Sequence, residues 1–119
     1  MSLASEDTSV GVTKQWYAMT SSSDGVKLAA IVFADGNIWR STDAGANWIE
    51  VPDTSKNWYG ITSSSDGINL AAVVYGGYIW RSTDSGINWS KVTAAGYQLW
   101  YGITSSSDGT KLVATVNNN

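Results

Sequence analysis

The feature that most constrains this chain is an internal repeat of 41 or 42 residues. Three Trp-Tyr pairs occur at that spacing, namely Trp16-Tyr17, Trp58-Tyr59 and Trp100-Tyr101. Each pair is followed by Ser-Ser-Ser-Asp-Gly, and a second motif, Ser-Thr-Asp-x-Gly-x-Asn-Trp, occupies residues 41–48 and 82–89. A period of this length is typical of arrays in which each supersecondary unit buries its apolar face against the next. All seven tryptophans fall at repeat-equivalent positions, which favours a role in packing.

Each unit has the pattern of four short strands and no helix. Residues 58–63 are rich in β-branched and aromatic residues, and Asp66-Gly67 then supplies a hairpin turn. The second strand, residues 69–75, is apolar without alternation, so both of its faces are expected to be covered. Residues 77–83 and 87–93 predict the third and fourth strands, and residues 46–52 predict the fourth strand of the preceding copy. No segment has apolar residues at a period of 3.6, so we expect essentially no helix.

Composition excludes several functions. The net charge is −3 and the seven Lys and Arg residues are scattered, so no basic surface for nucleic acid is expected. The chain has no cysteine and no histidine, which removes disulfides, thiolate metal sites and the usual catalytic triads. The Ser-Ser-Ser-Asp-Gly runs lack both the clustered carboxylates of a calcium loop and the lysine of a phosphate-binding loop, and are interpreted as turns. We therefore predict no metal and no cofactor.

The ends of the chain carry little information. Residues 1–7 are expected to be disordered or a remnant of expression, and they lack the pattern of a signal peptide. Residues 8–14 lie where a fourth strand would precede Trp16, although they contain no tryptophan. No apolar run approaches 18 residues, so no membrane association is expected. The asparagines at 117–119 have the composition of a frayed end.

The Ser-x-Asp-x-Gly-x-Asn-Trp motif has the composition of a tight hairpin turn. The Asp84 carboxylate can accept hydrogen bonds from backbone N–H groups, and Gly86 can adopt a left-handed conformation that costs other residues about 1 kcal/mol or more. Ser82 and Asn88 are expected to bridge the two strand ends, while Trp89 folds back and shields these bonds from water. The motif is interpreted as a hairpin lock, and the alternative is a duplicated reactive site.

At these residues the chain resembles the Asp-box, or BNR repeat, of sialidases, sortilin-type receptors and other β-propellers. Both copies match the four defining positions, which are Ser41, Asp43, Gly45, Trp48, and Ser82, Asp84, Gly86, Trp89. The resemblance covers residues 16–116. It implies an all-β propeller of four-stranded antiparallel blades, with the Asp-box at the periphery between the third and fourth strands and away from any active site. It also slightly favours an extracellular or cell-surface location, which the sequence otherwise leaves unknown.

The repeats predict a single domain, residues 1–119, that is an incomplete ring. Its units span approximately residues 16–57, 58–99 and 100–116, which is about two and a half to three blades per chain. A propeller needs at least about four blades to surround its axis. We expect self-association to complete the ring, most simply as a homodimer with six blades. Other ring sizes, and an origin in a longer propeller, are the alternatives.

The favoured functional hypothesis is a non-enzymatic binding module, with carbohydrate as the best guess for its ligand. Aromatic rings repeated near one rim could stack on sugars and give multivalent binding. The candidate ligand-binding residues are Trp16, Tyr17, Trp58, Tyr59, Trp100 and Tyr101. The alternative interpretation is that these rings only pack between blades. Phe33, Tyr75 and Tyr78 are candidates of second rank.

Two other functions stay open at this stage. One is a structural repeat piece of a larger surface or secreted propeller, without a ligand of its own. The other is a degenerate sialidase-like glycosidase, because the resembling family uses three arginines, a tyrosine with a glutamate and an aspartic acid. Here only Arg40 and Arg81 exist, both beside the Asp-box and expected to stack on neighbouring rings, and Glu6 and Glu50 are the only glutamates. We therefore predict no catalytic residues.

Overall fold

A computed structural model describes residues 16–32 and 36–117. These residues form ten β-strands and no helix, and so contain no helix able to cross a membrane. The strands are β1 (Trp16–Ser21), β2 (Leu28–Val32), β3 (Ile38–Ser41), β4 (Ile49–Glu50), β5 (Trp58–Ser63), β6 (Leu70–Gly77), β7 (Ile79–Ser82), β8 (Ser90–Val92), β9 (Gln98–Ser105) and β10 (Leu112–Val116). The expectations for residues 1–7 and 8–14, for Phe33 and for the last two asparagines fall outside the described residues.

The strands build two four-stranded antiparallel sheets and one further hairpin. The first sheet has the order β1-β2-β3-β4, and in the second β5 pairs with β6, β6 with β7 and β7 with β8. Strands β9 and β10 pair antiparallel as a third unit. The beginning of β9 also pairs with the end of β6, through Tyr75 with Leu99 and Gly77 with Gln98. Sequence reasoning did not foresee this join between the second and third units.

The fourth strand of each sheet is shorter than the sequence predicted. The expected segments, residues 46–52 and 87–93, contain only β4 and β8. The reason lies in the preceding turn, where the backbone N–H and the side-chain amide of Asn47 both donate to the carboxylate of Asp43. Asn88 makes the same two bonds to Asp84. The turn therefore extends to the asparagine, and regular pairing begins only after the tryptophan.

The Ser-Ser-Ser-Asp-Gly runs form the turns that connect the first and second strands. In the second unit the Ser64 hydroxyl and the Ile68 N–H both donate to the Asp66 carboxylate, at 2.5 and 3.0 Å. The Gly67 N–H donates to the Ser64 carbonyl, and Gly67 has a φ of 74°. Such a φ favours glycine because it has no Cβ. The carboxylate thus closes the turn locally in all three units.

The apolar core lies between consecutive units. Ile31 of the first sheet shares one buried cluster with Trp58 of the second, and Val73 of the second shares another with Trp100 of the third. Strands β2 and β6 are buried along most of their length, which agrees with the unalternating apolar pattern of the second strand. Each unit therefore covers the preceding one with the tryptophan that opens its first strand.

A ladder of hydrogen bonds joins the same turns from unit to unit. The Ser23 N–H donates to the Ser65 carbonyl at 2.7 Å, and the Ser65 N–H donates to the Ser107 carbonyl at 2.6 Å. Two residues earlier, the Ser63 hydroxyl donates to the Ser21 carbonyl and the Ser105 hydroxyl donates to the Ser63 carbonyl. The ladder has a direction, because the backbone N–H of each unit donates to the following unit, whereas the serine hydroxyl of each unit donates to the preceding one.

Candidate functional site

The two Ser-Thr-Asp-x-Gly-x-Asn-Trp turns have nearly identical geometry at the outer part of their sheets. In the second copy the buried Ser82 hydroxyl donates to Asp84 at 2.7 Å and accepts from the Gly86 N–H at 2.9 Å. Ser82 and Asn88 thus both bind Asp84 within the turn and do not bridge the strand ends. The Trp89 indole donates to the Gly86 carbonyl at 2.9 Å. Ser85, beside Gly86, also has a positive φ of 63°.

These hydrogen bonds fix the charge of the turn carboxylates. The side-chain amide and backbone N–H of Asn47, followed by the Ser41 hydroxyl, lower the pKa of Asp43. The backbone N–H of Asn88, followed by the Ser82 hydroxyl, lowers the pKa of Asp84. Both carboxylates are therefore anionic at neutral pH and occupied by their own turn. Because most acceptor sites of either carboxylate are used within the turn, few remain to bind or react with a substrate.

The tryptophans proposed as ligand contacts differ from one unit to the next. Trp58 is 1 % exposed and Trp100 is 6 % exposed, and their indole N–H groups donate to the carbonyls of Thr54 and Gly96. Rings so deeply buried cannot stack on a ligand, so we correct the prediction for these two residues and regard them as packing residues, although Trp58 also borders the cleft described below. Trp16 is only partly buried and lies 5.9 Å from Trp48, measured between ring centroids.

The tyrosines of the same pairs come together at the inner edge of the sheets. Trp16 and Ala18 of β1 pair with consecutive residues of β2, so Tyr17 is the extra residue of a β-bulge. Tyr59 and Tyr101 occupy the same bulge position in β5 and β9. A bulge turns a side chain away from the direction that the regular pleat would give it. The first strands of neighbouring units thereby present their tyrosines side by side.

We call Tyr17, Tyr59, Tyr75 and Tyr101 the inner tyrosine cluster. The ring centroid of Tyr59 lies 5.4 Å from that of Tyr17, 5.7 Å from that of Tyr101 and 4.6 Å from that of Tyr75, on which it is stacked. Desolvation, followed by the neighbouring Tyr101 and Tyr59, raises the pKa of Tyr17, which is therefore a neutral phenol at pH 7. The rings mainly contact one another, although Tyr17 and Tyr101 remain 42 % and 53 % exposed.

A second concave surface lies where the loop between β4 and β5 approaches the outer strands of the second sheet. This outer cleft has a volume of about 340 Å³, and its lining includes Asp53, Lys56, Trp80, Ile87, Asn88 and Trp89. The volume falls near the lower end of the range for small-molecule sites, about 300–1,000 Å³. Three indoles, those of the buried Trp58 and of Trp80 and Trp89, form much of the wall, while a carboxylate, an ammonium and an amide stand around it.

The polar groups of the outer cleft are held by the local fold. The Lys56 ammonium lies 4.7 Å from the centre of the Trp80 ring, a cation–π contact, and the Lys56 backbone pairs with Gly36. Asp53 has a φ of 62° and is exposed. Trp89 packs on Trp58 with ring centroids 6.2 Å apart. The cleft thus combines a fixed aromatic wall with solvent-accessible hydrogen-bonding groups. The wall can stack on the flat apolar face of a ligand, and the polar groups can bind the hydroxyls of that ligand.

The two arginines lie between units and do not converge on one point. The guanidinium of Arg40 donates to the Ser85 carbonyl at 3.1 Å, and that of Arg81 donates to the Gly109 carbonyl at 3.2 Å. Among the described residues, these bonds to the following unit take the place of the expected stacking on rings. Glu50 accepts a hydrogen bond from the side chain of Asn37. Within residues 16–32 and 36–117, no three acidic side chains are grouped as a metal would require.

Comparison with solved structures identifies the architecture. The chain superposes on the β-propeller domain of Cps50 (Swd1) from Myceliophteria thermophila with a TM-score of 0.69 and 14 % identity, covering 91 % of this chain and 33 % of that one. The fold is that of a β-propeller. The sheets described above are therefore its blades, and β1, β5 and β9 are their inner strands.

Two further structures agree with this assignment. A GH74 enzyme from Niastella koreensis matches 75 % of this propeller chain and 13 % of its own, with a TM-score of 0.58 and 23 % identity. YCF48 bound to D1 peptide matches 92 % of this chain and 42 % of its own, with a TM-score of 0.63 and 13 % identity. The chain thus spans less than half the length of these propellers. No family model and no curated protein matches the sequence.

Sequence reasoning missed most of the outer cleft. It treated Asn88 and Trp89 as parts of a turn, gave Trp80 a role in packing only, and gave Asp53 and Lys56 no role. The recurrence of Ile-Trp-Arg-Ser at residues 38–41 and 79–82 marked Trp80 as a repeated aromatic residue. Nothing in the repeat marked Asp53 or Lys56, because they belong to the variable loop between blades.

Proposed function

We propose that this chain is a non-enzymatic binding module of a β-propeller and that it binds carbohydrate in the outer cleft. The observation that carries the proposal is the composition of that cleft, in which Trp80 and Trp89 stand beside Asp53, Lys56 and Asn88. Sugar rings present apolar C–H faces to aromatic rings and hydroxyls to polar groups, and this cleft offers both kinds of partner. The inner tyrosine cluster is the alternative location for the same ligand.

The turn geometry supports assigning the blades to the Asp-box type. In both copies the serine hydroxyl donates to the aspartate, the asparagine donates to it twice, and the glycine has a positive φ. In this proposal Ser41, Asp43, Gly45 and Trp48, with Ser82, Asp84, Gly86 and Trp89, are structural residues that stabilise the outer hairpins. In this proposal their carboxylates take no part in binding, because each already accepts three hydrogen bonds within its own turn.

We also propose that the chain has no catalytic activity, and the hydrogen bonds of its two arginines support this. Arg40 and Arg81 each donate to a backbone carbonyl of a different neighbouring unit, so they are not gathered into the clamp that would hold a substrate carboxylate. The competing glycosidase hypothesis is tested with a fluorogenic sialoside, and hydrolysis that disappears in the Arg81→Ala variant would overturn the proposed lack of activity.

The ligand is tested on an array of immobilised glycans, followed by isothermal titration calorimetry with the glycan that gives the strongest signal. We expect binding that weakens at least tenfold in Trp80→Ala, which loses the aromatic wall, and measurably in Asp53→Asn. Asparagine tolerates the positive φ of residue 53, so this second variant removes the charge and preserves the loop.

The matched control is Tyr97→Ala, an aromatic residue that is 65 % exposed and lies outside the cleft. It should bind the glycan like the unmodified chain, and circular dichroism should show that every variant is folded. Binding that survives Trp80→Ala but is lost in Tyr101→Ala would move the site to the inner tyrosine cluster. A folded protein that recognises no glycan on the array would refute carbohydrate as the ligand and favour a purely structural or peptide-binding role.

A further inference from the structure

We propose that a second copy of this chain docks head to tail on the two open faces, so that two copies close one ring. The inference is independent of the ligand and rests on the interface that already exists between consecutive units. That interface occurs twice within the chain, between the first and second units and between the second and third. Within residues 16–32 and 36–117, each half of it recurs without its counterpart at one end of the array.

The hydrogen-bond ladder ends in a free donor on one side and a free acceptor on the other. Among the described residues the Ser107 N–H has no acceptor, and the Ser23 carbonyl has no donor. These are the groups that would form the next rung of the ladder that joins Ser23 to Ser65 and Ser65 to Ser107. A backbone N–H of one copy can therefore meet a backbone carbonyl of the other in the geometry that is already used twice.

The side-chain ladder leaves the same two halves unmatched. The hydroxyl of Thr20 lies 2.9 Å from that of Ser63, and the hydroxyl of Thr62 lies 3.2 Å from that of Ser105. The next pair would join Thr104 of one copy to Ser21 of the other. Thr104 is exposed, and the Ser21 hydroxyl donates to the adjacent Ser22 carbonyl instead of to a neighbouring unit. Ser21 thus makes a local bond where Ser63 and Ser105 bond across the interface.

The apolar surfaces are complementary as well. Ala71 and Val73 on β6 are 1 % and 0 % exposed, and Val73 packs in one cluster with Trp100 of the following unit. The equivalent residues on β10 are Val113, which is 64 % exposed, and Thr115, which is also exposed. At the other end of the array, the first unit presents the partly buried Trp16, whose equivalents Trp58 and Trp100 cover the preceding unit.

The turn glycine packs against a side chain of a neighbouring unit in the second and third units but not in the first. A Cβ at Gly67 would lie 2.9 Å from the Lys27 side chain, and one at Gly109 would lie 2.7 Å from the Asn69 side chain. A Cβ at Gly25 would meet nothing within 4 Å. Docking would place Gly25 against Lys111, the residue equivalent to Lys27 and Asn69. Hydrogen bonds, hydroxyl pairs, apolar faces and glycine packing therefore all mark the same two surfaces.

Two copies are the smallest number of chains that can form a closed ring. The described residues supply three inner strands, whereas propellers contain about four to eight blades. Identical head-to-tail contacts give a closed ring when the rotation between copies returns to its starting point. With two copies the rotation is a half-turn, both interfaces are the same, and six inner strands surround the axis.

The proposal is tested by light scattering coupled to size-exclusion chromatography. The unmodified chain should have twice the mass of one 12.7 kDa chain. The Val113→Lys variant should elute as a monomer, with a dissociation constant raised at least about 100-fold, because docking would bury an unpaired ammonium at each interface. The matched control is Ile49→Lys, a β-branched residue that is 52 % exposed on β4, and it should keep the double mass.

A second variant isolates the hydrogen bond. The Gly109 N–H donates to the Ser106 carbonyl and so closes a turn in which Ser107 is the second residue. This position of a turn accepts proline, so Ser107→Pro removes the free N–H and preserves the turn. We expect about a tenfold weaker dimer and an unchanged fold by circular dichroism. A monomeric unmodified chain at 100 µM in solution (on the order of a weak interface's dissociation constant) would overturn the proposal. So would an open polymer whose mass grows with concentration, or a dimer that is insensitive to Val113→Lys.

Discussion

Replacing Ser82 with alanine gives a sharp test of how the outer turns are stabilised. Ser82 is 2 % exposed, and its hydroxyl accepts the buried N–H of Gly86 at 2.9 Å and donates to Asp84 at 2.7 Å. Alanine removes one net hydrogen bond and leaves the Gly86 N–H buried without a partner, which costs about 2–3 kcal/mol in total. The bond to the solvent-exposed carboxylate adds little, because water screens it.

Ser41 provides a control within the same molecule. Its hydroxyl makes the equivalent bonds to Asp43 and to the Gly45 N–H, and Ser41 is as buried as Ser82, but Gly45 is only partly buried whereas Gly86 is buried. The orphaned N–H can then be reached by water, so we expect Ser41→Ala to cost about 1 kcal/mol. Urea unfolding followed by tryptophan fluorescence measures both free energies. Equal losses for the two variants, or a loss below about 0.5 kcal/mol in Ser82→Ala, would refute the argument from burial.

The remaining expectations concern packing and pH. Trp58→Ala should lower the free energy of unfolding by about 3–5 kcal/mol, because it removes a buried indole and its bond to Thr54; a loss below about 1 kcal/mol in urea unfolding would contradict the packing role. The Thr110 N–H, then the hydroxyls of Ser106 and Thr110, lower the pKa of Asp108 from 3.8 to about 2. A carboxyl with a depressed folded pKa stabilises above its unfolded pKa, and this contribution is lost as pH falls through the folded value. Stability should therefore fall between about pH 4 and pH 2, less steeply in Asp108→Asn, and identical acid transitions for both proteins would refute this.

The sequence predicted the features that depend on contacts between near neighbours. The Asp66 carboxylate bonds to residues two positions away on either side, so the letters of the turn contain all of its partners. The same holds for the turn at Asp84, whose hydrogen-bond donors all come from residues 82–88. The period of 41 or 42 residues then fixed the order of strands, because each unit repeats one hairpin pattern.

The candidate site was predicted only in part, for the opposite reason. Trp16, Trp58 and Trp100 have the same place in the repeat, yet their burial depends on whether another unit packs over them. Tyr59 and Tyr101 were named from sequence, but their meeting with Tyr75 follows from a bulge and from the stacking of blades. Sequence period alone does not report either effect.

What the sequence determined by itself is the repeated hairpin unit, since its turns are closed by side chains within a few residues of one another. Only the tertiary structure decided which repeated aromatic residues are buried, where the outer cleft opens between Lys56 and Trp80, and which faces of the described units stay uncovered by other described residues. These properties depend on residues that are distant in the chain, and on packing energies that arise when one blade is laid against the next.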